Sequence, residues 1–183
     1  MEKVFNGRNL STALALIPLN IFMRVAKHYG YTDAAWMKAF LVGAVLSLAV
    51  AGVSVWRRFP VRDLLFAFVL LFVTGAIAFL ADIDTVIYGY KGHQGTSLMI
   101  WYLLTRAWLA LRPGDLARFV YDPYAKAPRA AGIFAAAIFA WSFTSNSVLL
   151  SVGIPMFLMI AFLYKFELQA PFGAGPAYGT TGK

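Results

Sequence analysis

Along this chain, polar residues are confined to short breaks between long apolar runs. Ala39 to Trp56 holds no charged residue, and neither does Leu64 to Ala81. The runs are as long as membrane crossings, which need roughly 20 mostly apolar residues. The pattern predicts spans over residues 9–27, 39–56 and 64–81, then a shorter one over 97–111 that contains Arg106. The last apolar run, Ala130 to Tyr164, is uncharged throughout. As one helix it would be roughly 50 Å long, well beyond the hydrocarbon thickness, so it must reverse. Thr144-Ser145-Asn146-Ser147 is the best turn, because short polar side chains satisfy backbone groups locally. Two closing spans follow, over 130–146 and 148–166, with Pro155 kinking the second. The expected fold is an all-α polytopic bundle of about six spans forming one transmembrane domain. The Gly-, Pro- and Thr-rich tail, 170–183, is expected to be disordered.

The connectors carry the charge and orient the bundle. With the amino terminus inside, the inner segments hold Lys3, Arg8, Arg57, Arg58, Arg62, Arg112, Arg118, Lys126, Arg129, Lys165 and Lys183. The outer segments hold Arg24, Lys27, Lys38 and Lys91. Eleven against four follows the positive-inside rule and puts both termini in the cytoplasm. Lys3 and Arg8 before an apolar stretch resemble the opening of a signal peptide. The small-x-small triplet Ala13-Leu14-Ala15 lies inside that stretch, however, and predicts an uncleaved first span. In the long connector from Pro113 to Pro128, Leu116, Phe119, Val120 and Tyr124 approximate helical spacing and predict a short surface helix.

Composition agrees with this reading. The 183 residues are 61% hydrophobic and 13% charged, against about 25% charged in soluble domains. The net charge of +8 raises nucleic acid as a partner, but basic residues scattered through connectors form no exposed basic face, so that class is set aside. Cysteine is absent, which removes disulfides, thiolate metal sites and cysteine nucleophiles. No nucleotide-binding, nucleophile-elbow or zinc-protease motif is present, and no cofactor is expected.

A few residues are candidates for more than span formation. Arg106 is the ionisable residue well inside an apolar run, which makes it a default ligand or ion-pair site. It either snorkels to the inner surface or meets a carboxylate, and Asp63 and Asp115 are nearest in depth. Asn20 and Arg24, one turn apart behind Pro18, either line a polar cavity or cap the first span. Asp82 and Asp84, near Tyr88, Lys91 and His93, offer a carboxylate pair but lack a third ligand and read as a solvated outer loop. Two rows of small residues predict close helix crossings: Ala39, Gly43, Ser47 and Ala51, and Gly132, Ala136, Ala140 and Thr144.

The run Ala15-Leu16-Ile17-Pro18-Leu19, a span closed by Trp56-Arg57-Arg58, and the connector Leu111-Arg112-Pro113-Gly114-Asp115-Leu116 before an apolar hairpin form a recognisable order. Over residues 10–166 this layout resembles the small bacterial inner-membrane proteins of the septation protein A type. Where that group often has a Ser-containing run, this chain has Thr105-Arg106-Ala107-Trp108. The resemblance implies a non-enzymatic role by association in the cell envelope and brings no catalytic residues. A small basic chain with six spans also looks like the substrate-binding subunits of energy-coupled vitamin transporters, or an accessory subunit of a larger membrane complex. The partners expected are the lipid bilayer and either further copies of the chain or other membrane subunits.

Overall fold

The computed structural model describes residues 7–57, 61–111, 120–121 and 128–144, together with positions 150, 154, 155 and 158. These residues are mostly helical, in six helices: α1 (Gly7–His28), α2 (Asp33–Trp56), α3 (Asp63–Leu80), α4 (Asp84–Gly92), α5 (Gln94–Leu111) and α6 (Pro128–Ser142). Of those, α2 and α3 are long and apolar enough to cross a membrane. The expected sixth span falls almost wholly outside the described residues, as does the tail.

The boundaries show how charged ends join apolar helices. Helix α2 begins at Asp33, ahead of the expected Ala39, because Thr32 caps it: the Thr32 hydroxyl accepts from the Ala35 amide at 3.2 Å. The reversal between α1 and α2 is closed by left-handed backbone at Gly30 (φ 75°) and Tyr31 (φ 57°), and the Tyr31 amide donates to the Ala26 carbonyl at 3.1 Å. Gly30 suits this conformation, since it has no Cβ to clash. The segment between α3 and α5 differs from expectation. It holds α4, a nine-residue helix that buries Ile87 and Tyr90, so it is not a plain solvated loop. Helix α6 stops at Ser142, before the end of the fifth span foreseen at residue 146, and positions 145–149 lie outside the described residues.

Neighbours along the chain pack on one another: α1 on α2, α2 on α3, α3 on α5, and α5 on α6, with α4 set against α3 and α5. The core is aromatic. Phe22 of α1 lies 4.9 Å from Phe72 of α3 and 5.0 Å from Phe40 of α2, ring centre to ring centre, and Phe40 continues to Phe79 and Tyr90. Such tilted and edge-on pairs add stability beyond the area they bury. Helices α2 and α3 approach through reciprocal notches. A Cβ at Gly43 would come within 2.9 Å of the Phe72 ring, and a Cβ at Gly75 would fall inside the Phe40 ring. Each helix therefore seats the other's phenylalanine over a glycine.

Most buried hydroxyls bond within their own helix or to its neighbour. Ser47 donates to the Ala44 carbonyl, Ser54 to Val50 and Thr105 to Trp101, as Ser and Thr do inside helices. Thr96 of α5 and Ser142 of α6 share a hydrogen bond of 2.8 Å.

A two-residue parallel pair completes the described fold. β1 (Val61–Arg62), just before α3, pairs with β2 (Val120–Tyr121), with Val61 opposite Val120 and Arg62 opposite Tyr121. This corrects the surface helix expected through Val120: that residue is extended and buried, held by ladder bonds that β-branched side chains suit. The other positions of that expected helix lie outside the described residues.

Candidate functional site

Where β1 runs into α3, two helices bring charged side chains into the interior. Asp63 opens α3 and is 1% exposed. Its Oδ1 accepts from the Leu64 amide at 2.8 Å, which holds the carboxylate at the positive end of the helix. Its Oδ2 faces α5, where it accepts from the Tyr102 hydroxyl at 3.0 Å and pairs with the Arg106 guanidinium at 3.5 Å. Tyr102 and Arg106 stand four residues apart on α5 and therefore on one face. Arg106 is 9% exposed, and Tyr102 is among the most deeply buried side chains. Arg62, in β1, is buried beside them in sequence.

This geometry decides between the two fates open to Arg106. The side chain turns into the protein and meets Asp63; it does not reach along the helix to the surface. The contact from Arg106 Nη1 to Oδ2 is long for a charge-assisted hydrogen bond. Both Asp63 oxygens are engaged, and the group ties the start of α3 to the last turns of α5.

The other candidates lie apart from this cluster. Asn20 is exposed and donates to the Leu16 carbonyl at 3.2 Å, one turn back in α1; Arg24 is exposed as well. Asp82 and Asp84 are exposed beyond the far end of α3, Asp82 with left-handed backbone (φ 49°). Among the described residues, no three His, Asp or Glu side chains gather as metal ligands would. The two small-residue rows are placed differently. Gly43 and Ser47 are buried between α2 and α3, whereas Ala136 is exposed and no atom among the described residues lies within 4 Å of a Cβ built on Gly132.

A second polar group ties the opposite end of α3. Tyr90 of α4 sets its hydroxyl between Thr74 of α3, at 2.7 Å, and the Trp101 indole N–H of α5, which donates to it at 2.9 Å. Sequence reasoning missed Tyr90 and Tyr102. The signal for Tyr102 was its position one turn before Arg106; Tyr90 carried none, because α4 itself was not foreseen. Lys91 adds an ion pair from α4 to Asp33, at the start of α2. No family model, no curated protein and no solved structure matches the chain.

Proposed function

We propose that the chain is a six-span inner-membrane protein with both termini in the cytoplasm, acting without catalysis, by association within the cell envelope. The observation that carries this reading is the inversion of its surface. Val45, Leu80, Leu111 and Ile133 are between 65% and 80% exposed, while Asp63, Arg106 and Arg62 are buried. A water-facing protein of this size does not display such large side chains along whole helices, but a lipid-facing one does. The flanking basic residues supply the orientation, and the closing apolar run supplies the two further spans.

The associative role is supported by what the charged cluster does. Its carboxylate takes the Tyr102 hydroxyl and the Arg106 guanidinium from α5 and so joins α3 to α5, which serves cohesion. The resemblance to septation protein A-type proteins points the same way. Native mass spectrometry of the detergent-solubilised complex tests the reading. Further copies or co-purified membrane subunits are the expected result. A monomer carrying a stoichiometric small molecule would instead favour a substrate-binding transport subunit.

A further inference from the structure

The polar residues of α5 are sorted by side. Thr96, Ser97, Tyr102, Thr105 and Arg106 are buried, whereas Ile100, Leu104, Trp108 and Leu111 face outward. Apart from Thr105, which bonds the Trp101 carbonyl of its own helix, polar groups of α5 are met by other elements: Thr96 by Ser142 of α6, Trp101 by Tyr90 of α4, and Tyr102 and Arg106 by Asp63 of α3. Alone, α5 would present this polar face to lipid. Among the described helices of its length or longer, α2 and α3 are apolar enough to cross a membrane, and α5 is not. Its arginine is the largest obstacle, since charge within a spanning helix opposes insertion.

We infer that α5 enters the bilayer through α3, with Asp63 as the positioning residue that makes Arg106 acceptable there. The inference rests on the membrane reading above. Helix α3 precedes α5 in the chain, is strongly apolar apart from its first residue, and holds Asp63 fixed by the Leu64 amide. When α5 follows, Arg106 meets a carboxylate already in place, and Tyr102 adds a hydrogen bond to the same oxygen. Insertion of α5 is thus a property of the α3–α5 pair, and the residue that governs it lies on the other helix.

The test uses the full-length chain, which has no cysteine of its own and so allows single-cysteine labelling. A Gly114→Cys probe just beyond α5 is treated in intact cells with a membrane-impermeant maleimide; Gly92→Cys, at the end of α4, serves as the outer-face reference. In the parent chain Gly92→Cys should label and Gly114→Cys should not. Adding Asp63→Leu should raise labelling of Gly114→Cys several-fold, or lead to loss of the chain by degradation. Adding Arg106→Leu to Asp63→Leu should restore the parent pattern in either case. Unchanged labelling of Gly114→Cys in Asp63→Leu, with or without a lower thermal stability, would overturn the inference. So would a defect that Arg106→Leu fails to rescue. If the parent chain stays out of the membrane fraction, or Gly92→Cys is sealed from the outside, the membrane reading itself fails, which is a distinct result.

Discussion

The Asp63–Arg106 pair sets the largest single-residue effects. Removing one partner leaves the other charge buried, and such changes cost about 3–5 kcal/mol, whereas removing both leaves no stranded charge. Asp63→Leu and Arg106→Leu should each lower the unfolding midpoint in detergent sharply, and the double variant should recover much of that loss. A loss in the double variant equal to the sum of the two single losses would mean that the pair contributes no coupling. Arg106→Lys keeps a long stem and a charged end that can reach the Asp63 carboxylate, and should be tolerated. Tyr102→Phe removes a buried donor to the same oxygen and should cost about 1–3 kcal/mol. Part of this was readable from the chain. Depth along the helices nominated Asp63 and Asp115 for Arg106, because rise per residue converts position into height. Whether Arg106 faced its neighbour or the surface was not readable, since the rotation of α5 is set by Thr96, Trp101 and Tyr102 meeting residues on three other helices.

At the scale of elements, the α2–α3 crossing depends on two glycines that receive phenylalanine rings. Phe40 is hemmed in by Phe22, Phe79 and Tyr90, so its ring has little room to move away. Gly75→Ala should therefore destabilise by about 1–3 kcal/mol, typical of overpacking, with partial recovery when Phe40→Leu is added. Gly132→Ala, with no described neighbour at its Cβ position, should stay within about 0.5 kcal/mol of the parent. Thermal unfolding of the set in one detergent checks both; a Gly75→Ala protein as stable as the parent would show that the ring yields. The apolar runs located the helices α1, α3 and α5 to within three residues, because long uncharged stretches dominate over local propensity, but α2 starts six residues before the foreseen Ala39. Spacing of small residues drew attention to Gly43 but passed over Gly75, whose role comes from an aromatic on the facing helix. Helix α4 escaped because its buried residues, Ile87 and Tyr90, are too few to make a run. Its hold is polar: Tyr90→Phe should loosen α4, read as faster amide exchange over residues 84–92, with α2 little changed.

For the molecule as a whole, an aromatic core that encloses a few charged groups, with large apolar side chains on the outside, accounts for a chain that is 61% hydrophobic. On the membrane reading proposed above, lipid replaces the polar shell that a water-soluble fold would need, and the few buried charges hold helices together where apolar contact with lipid offers no driving force. On the same reading, the asymmetry of Lys and Arg across the connectors sets which side is which. Topology mapping of the full-length chain tests this account most directly, with reporters in turn at Gly92 and after Lys183. The account predicts a membrane-bound protein whose Gly92 reporter is active in the periplasm and whose carboxy-terminal reporter is active in the cytoplasm. A carboxy-terminal reporter active in the periplasm, or a chain recovered in the soluble fraction, would contradict it.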